Sequence, residues 1–241
     1  MAIVNIPYQL TVLIPAYEEA ESLLILLPLI IVELDKLNIK YEVIVVDTQL
    51  SRDDTKHVCS LNQVIYLPRE SGDYYGDAIR TGIKYSKGSY TIIMDADGSH
   101  NPNCIPRLWE QRELNDLVIA SRYIKGGRTD NPLVLIYMSQ IVNILFRYTL
   151  SLNCLDVSNS YRLYKLSDLK SLNLRCNNFD IVEEMLVSLV NLRKHYRICE
   201  IPITFEQRKA GKSKRKLVVF AFSYIYVLLR LLKLKKKITN R

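Results

Sequence analysis

Tyr41-Glu42-Val43-Ile44-Val45-Val46-Asp47 and Ser89-Tyr90-Thr91-Ile92-Ile93-Met94-Asp95-Ala96-Asp97 decide the fold. Each holds a short apolar run that ends on an acid, as a strand buried in a sheet does. Working outward, Gln9–Pro15 (QLTVLIP) is a third such run, stopped by proline, and Gln63–Leu67 and Leu117–Ser121 are two more. Between them Glu18–Lys36 and Asp73–Lys87 have helical spacing, with Pro28 expected to kink the first or to sit in a break. Strands alternating with helices predict an α/β fold: βαβ units around a mostly parallel sheet flanked by helices. In such sheets ligands bind beyond the carboxyl ends of the strands, where Asp47 and Asp95 fall. A lone strand-end acid is equally well a cap for the next helix. Two of them, one inside an Asp-x-Asp, point to a site.

A chain of 241 residues suits one such domain with a short appendage. Cys59, Cys104, Cys154, Cys176 and Cys199 are dispersed and odd in number, with no Cys-x-x-Cys. That argues against a disulfide framework or a zinc site and is expected of reduced thiols in a cytosolic protein. The first twelve residues lack a basic stretch followed by a long apolar run, so no signal peptide is expected. Charge is uneven. Of 33 basic residues, twelve follow Glu206, and none of the 25 acidic residues does, so the first 206 residues carry a net charge of −4. A mildly acidic body with a strongly basic tail suggests contact with anionic lipid, nucleic acid or phosphate. Phe220, Phe222, Tyr224 and Tyr226 lie inside an apolar run and are not interleaved with the charges, which argues against nucleic acid.

Two apolar stretches mark the second half. Leu133–Leu150 is apolar except for a stripe of Ser139, Asn143 and Arg147, with Gln140 beside it. The stripe makes it a poor membrane span. A core helix is the default reading and a membrane-surface helix the alternative. Leu217–Leu234 is broken only by Ser223, Arg230 and Lys233. Residues 217–232 would make a helix of about 24 Å, short of the ~30 Å hydrocarbon core. Flanked by basic clusters, it is read as an amphipathic helix lying on an anionic membrane surface, with docking on its own domain as the competing reading. The expected organisation is a catalytic domain over 1–216 and a membrane-associating helix over 217–241.

Asp95 and Asp97, separated by one residue just past a strand, can share Mg²⁺ or Mn²⁺. Such hard cations take oxygen ligands and share them with substrate phosphates. Their task would be to offset charge on a departing nucleoside diphosphate. His100 is as readily a turn residue as a ligand. No Ser/His/Asp or Cys/His set, P-loop or dinucleotide fingerprint is present.

Val12-Leu13-Ile14-Pro15-Ala16-Tyr17-Glu18-Glu19, Val45-Val46-Asp47, Gly76–Gly82 and Asp95-Ala96-Asp97-Gly98-Ser99-His100 stand in one order along the chain. They are followed by Ala120–Tyr123, Gly126-Gly127-Arg128, Ser160–Tyr164, Phe179–Met185, Glu200–Phe205 and Arg208–Lys214. As a set spanning residues 9–216 they resemble family 2 glycosyltransferases, in particular the polyprenyl- and dolichyl-phosphate mannose synthases of the cell envelope. The resemblance implies a GT-A fold, the Rossmann-like fold of nucleotide-diphospho-sugar transferases, with C-terminal amphipathic helices. It implies that Pro15, Tyr17, Glu19 and Asp47 line the nucleotide pocket. Asp95 would lie near ribose and metal, and Asp97 on the metal. Arg122 and Arg128 would meet the acceptor phosphate, and Arg208, Ser213 and Lys214 would close over the diphosphate. Glu18 stands where the family usually has Asn, and Thr48 where it usually has a second Asp.

The activity expected is that of a hexosyltransferase: inverting transfer of one sugar from a nucleotide sugar to a polyprenyl phosphate at the cytosolic membrane face. A phosphate acceptor needs no strong base, because its second pKa is about 6. A hydroxyl acceptor, as in cell-surface polysaccharide assembly, would need one, with Glu183 or Glu184 as candidates. A silent nucleotide-sugar-binding membrane module is the rival from outside the enzymes. A membrane-protein partner and a homo-oligomer both remain open.

Overall fold

The computed structural model describes residues 7–206, 227–233 and 235–236. In chain order the elements are β1 (Leu10–Pro15), α1 (Ala20–Asp35), β2 (Tyr41–Asp47), α2 (Thr55–Leu61), β3 (Ile65–Pro68), α3 (Tyr75–Tyr85) and β4 (Tyr90–Ile93). They continue with α4 (Ile105–Glu110), β5 (Leu117–Ser121), β6 (Arg128–Thr129), α5 (Leu133–Leu150), β7 (Arg162–Lys165), α6 (Leu166–Lys170), α7 (Ile181–Val190), β8 (Ile198–Pro202) and β9 (Thr204–Phe205). Seven strands form one sheet in the order β3-β2-β1-β4-β7-β5-β8, and β6 pairs with β9 apart from it. Every ladder of the large sheet is parallel except the two made by β7, which runs antiparallel between β4 and β5. Periodicity alone does not mark β7, because Arg162 and Lys165 bracket only Leu163 and Tyr164.

Side chains alternate across the sheet with a period of two, so each central strand feeds two cores. Leu10, Val12, Ile14, Val43 and Val45 pack with α1, α2 and α4 on one face. Leu13, Ile44 and Val46 face α3, α5, α6 and α7 on the other. The expected helix through Pro28 runs from Ala20 to Asp35 without a break. Pro28 lies on its exposed side, away from the buried row Leu23, Leu26, Leu27, Ile30 and Leu34. Met94 extends the β4 pairing beyond the named strand, its N–H bonding Leu13 O at 3.1 Å.

One expectation is corrected, and for the other the described residues of 217–241 follow the competing reading, docking on the domain. Leu133–Leu150 is a helix, but not a core helix. Only Asn143, Phe146 and Leu150 are buried, so the polar stripe faces the domain and the apolar side faces out. The reason is a hydrogen-bond demand: Asn143 Oδ1 accepts the N–H groups of Val157 (2.8 Å) and Ser158 (3.2 Å), which lie in no helix or strand. The described part of 217–241 does not lie apart from the domain either. Residues 227–233 are helical, and Val227, Leu228 and Leu231 enter the core against α7 and the end of α5. Lys235 Nζ donates to Leu150 O and Ser151 Oγ, both at 2.9 Å, capping the orphan carbonyl end of α5. Arg230 reaches Asp180 at 3.6 Å.

Candidate functional site at the carboxyl edge of the sheet

Because β1 to β4 are parallel, their carboxyl ends share one edge. That edge brings together Pro15, Asp47, the residue after β3 and the Asp95–Asp97 turn. Pro15 is buried at the end of β1, and the N–H of Ala16 continues the pairing to Val46 O at 2.9 Å. Asp47 is fully buried. Burial raises its carboxyl above the ordinary range, against hydrogen bonds that include the hydroxyl of Tyr66, at 3.2 Å from Oδ2. Thr48, also buried, donates to Leu50 O at 2.7 Å, and so takes a structural part in the loop where the family has its second acid.

Tyr17 accepts from Arg52 Nη1 at 2.9 Å, and the Arg52 guanidinium lies over its ring. Glu19 sits at the N-cap of α1 and accepts from Ser22 Oγ at 3.1 Å. Glu18 adopts φ 55°, a left-handed conformation that Asn tolerates better than Glu. Arg69 escaped the sequence reading. It follows β3 directly, is buried, and donates to Ala16 O and Asp73 O, tying the loops after β1 and β3 together beside Asp47. Its signal was the same as that of Asp47 and Asp95: a charged group at a strand end.

The Asp95–Asp97 turn is held from several sides. Asp95 Oδ1 accepts from Ser160 Oγ (3.0 Å) and Tyr75 Oη (3.3 Å). Burial, with Asp95 next, pushes the Tyr75 phenol well above its ordinary value, which keeps it a donor. Asp97 Oδ1 accepts from the N–H (3.0 Å) and hydroxyl (2.6 Å) of Ser99, and Gly98 between them has φ 78°. His100 Nδ1 accepts the Asp95 N–H at 3.0 Å, leaving Nε2 to donate to Asn159 Oδ1 at 3.1 Å. His100 is thus a buried brace of the turn, stacked on Tyr161. Among the described residues no group of three or more His, Cys, Asp or Glu converges as a metal cage. Two oriented carboxylates with hard oxygen donors fit Mg²⁺ or Mn²⁺, which take their remaining ligands from water and phosphate.

Arg122 makes a bidentate ion pair with Asp156, Nε at 2.8 Å and Nη2 at 2.7 Å, in a place where Asp156 is fully buried. Arg128 lies exposed on β6. Glu183 and Glu184 are both buried, so neither lies on a solvated helix face. The Glu184 carboxylate accepts the N–H groups of Arg175 and Cys176 at 2.7–3.1 Å, and so holds the irregular segment that precedes α7. Arg208, Ser213 and Lys214 lie outside the described residues. The chain leaves for them beside the acidic turn, since the Glu206 N–H bonds Ser99 O at 3.1 Å and Asn101 bonds the Glu206 carboxylate at 2.8 Å.

The sequence profile described as Glycosyl transferase family 2 matches residues 11–172. The chain belongs to this glycosyltransferase family. An undecaprenyl-phosphate mannosyltransferase of Micrococcus luteus is 33% identical over 221 residues, covering 84% of this chain and 85% of its own. A polyprenol monophosphomannose synthase of Mycolicibacterium smegmatis is 30% identical, covering 84% of this chain and 79% of its own. A dolichol-phosphate mannosyltransferase of Pyrococcus furiosus is 30% identical over 93% of this chain, which spans 64% of that longer protein. Among solved structures, Mycobacterium tuberculosis glucosyl-3-phosphoglycerate synthase aligns with a TM-score of 0.70 at 17% identity, over 94% of this chain and 80% of that one. That structure contains Mn²⁺, uridine diphosphate and glucosyl-3-phosphoglycerate; another of the same enzyme, with Mg²⁺ and uridine diphosphate, aligns at 0.69. The fold of this glycosyltransferase is therefore GT-A, with the mostly parallel sheet of that class.

Proposed function

We propose that this glycosyltransferase moves a single sugar, with inversion, from a nucleotide sugar to a polyprenyl phosphate at the cytosolic face of the cell membrane. Mg²⁺ or Mn²⁺ would be held by Asp95 and Asp97 and would supply positive charge against the departing diphosphate. The observation that carries the reading is the Asp95 carboxylate, oriented by Ser160 and Tyr75 one residue from Asp97, at the edge that also holds Asp47. The names of the three relatives all specify a polyprenol-type phosphate and mannose, which makes a mannosyl donor the first to test.

Pro15, Tyr17, Glu19 and Asp47 would line the nucleotide end, kept in place by Arg69. Arg208, Ser213 and Lys214 would close over the diphosphate with donors suited to phosphate oxygens. In the transfer an acceptor phosphate oxygen bonds to the anomeric carbon. The bond from that carbon to the diphosphate breaks, and its electron pair leaves with the diphosphate. A single displacement inverts the centre. No proton need be removed from an ionised phosphate, which agrees with the engagement of Glu184 by backbone amides. Arg122 is held by Asp156 and Arg128 is exposed on its strand, which makes Arg128 the first of the two to test as the contact to that phosphate.

Membrane association is supported by α5. Its mean hydropathy is 1.5, and it is the single helix among the described residues long and apolar enough to cross a membrane. Because Asn143 of its polar stripe is bonded to the domain and its apolar side is exposed, it suits lying along a membrane surface rather than spanning it.

The test is transfer from a panel of GDP- and UDP-linked sugars, with purified protein, Mn²⁺ or Mg²⁺, and anionic vesicles containing undecaprenyl phosphate. The expected product is a lipid-linked sugar from one donor, lost on chelation. Transfer only to sugar hydroxyls, or nucleotide binding with no turnover on any acceptor, overturns the reading.

A further inference from the structure

Asn143, in the polar stripe of α5, makes contacts that the catalytic reading does not use. Asn143 is buried on a helix whose other faces are largely exposed and apolar. Its side-chain oxygen accepts from two successive N–H groups, Val157 at 2.8 Å and Ser158 at 3.2 Å. Both belong to residues 156–160, an irregular segment whose backbone has no ladder to satisfy it. The segment touches Arg122, His100 and Asp95 in turn. The Asp156 carboxylate takes the backbone N–H (2.9 Å), Nε and Nη2 of Arg122. Ser158 Oγ accepts from the same guanidinium at 2.9 Å. Asn159 meets His100 Nε2 and donates to Ala120 O. Ser160 donates to Asp95 Oδ1 at 3.0 Å. On the far side Arg162 Nη2 holds Val157 O at 2.6 Å, and the Glu200 carboxylate holds the N–H groups of Leu155 (2.7 Å) and Asp156 (2.9 Å).

From this juxtaposition we propose that Asn143 is a positioning residue for the metal acid: through segment 156–160, the seating of α5 sets the orientation of Asp95 and with it the affinity of the cation site. The inference rests on the Mg²⁺ or Mn²⁺ reading above. A partner that orients a carboxylate ligand commonly affects metal affinity by about 10- to 100-fold. Ser160 touches Asp95 directly, and Asn143 acts two residues back along the chain. The effect of Asn143 is therefore placed at the low end, about tenfold.

The experiment titrates Mn²⁺ into the full chain with excess nucleoside diphosphate, following free Mn²⁺ by electron spin resonance, beside thermal unfolding and amide hydrogen exchange. Asn143→Ala is expected to raise the Mn²⁺ dissociation constant about tenfold and to speed exchange at Val157 and Ser158 before metal is added. Asn143→Asp, which keeps the two acceptor bonds, restores affinity. Ser160→Ala, should Asn143→Ala fold poorly, gives the same or a larger shift at an unchanged melting temperature. Wild-type protein that binds no Mn²⁺ overturns the metal reading and this inference together. Wild-type binding with an unchanged constant in Asn143→Ala or Ser160→Ala, or no rescue by Asn143→Asp, overturns the inference alone.

Discussion

Helix α7 buries two glutamates, while α5 turns leucines and isoleucines outward. Glu183 and Glu184 are each 3% exposed, whereas Leu133 is 69% and Ile141 65% exposed. Both helices read as apolar segments with a few polar residues, and the naive rule would put the polar residues of each in water. The difference lies in what each helix packs against. Helix α7 faces the irregular stretch around Cys176, where backbone N–H groups need an acceptor, and Glu184 provides it. Helix α5 faces residues 157–158, which need one too, and Asn143 provides it. In each case a loop without a ladder pulled a polar side chain inward, because an unsatisfied buried N–H costs about 1–3 kcal/mol. On α5 that choice left the apolar side outside.

The comparison can be broken at several points. The largest effect is expected beneath α5. Asp156→Ala strands the Arg122 guanidinium and should destabilise the protein by about 3–5 kcal/mol in urea unfolding. A loss under about 1 kcal/mol would mean the pair is solvent-screened and not a strut. Next comes α7. Glu184→Ala should cost about 2–4 kcal/mol, since the Arg175 and Cys176 N–H groups lose their acceptor. A variant with native stability and no turnover would make Glu184 a chemical group and end the parallel with Asn143. The outward face of α5 predicts the reverse pattern. Ile141→Asn with Ile144→Asn should alter stability by under about 0.5 kcal/mol and weaken flotation with anionic vesicles at least about tenfold. Marked destabilisation instead would show that this face is packed. The smallest effect lies outside both helices: Glu18→Asn relieves a left-handed φ and should raise stability by up to about 1 kcal/mol by thermal unfolding.

The sheet was legible because strands buried on both faces leave continuous apolar runs; Tyr41–Asp47 and Leu117–Ser121 match residue for residue. Asp47, Asp95 and Asp97 were legible because parallel strands deliver their ends to one edge. Strand β7 was not, since its fully buried Arg162 donates to the carbonyls of Val157 and Val182, acceptors in an irregular segment and a helix that an apolar pattern does not mark. Ser160 and Tyr75 were likewise invisible as orienters of Asp95, being 65 and 20 residues away in the chain.

The sequence by itself determined the α/β alternation, the family and the acidic turn, because strand period, turn chemistry and motif order are local properties that survive without coordinates. Only the tertiary structure decided which side of α5 faces out and that residues 227–233 join the core. It also showed that the Glu184 carboxylate accepts backbone amides of the segment before α7. Those outcomes depend on which buried N–H and C=O groups lack a partner once the sheet has closed, and a linear pattern of apolar and polar residues does not record that demand.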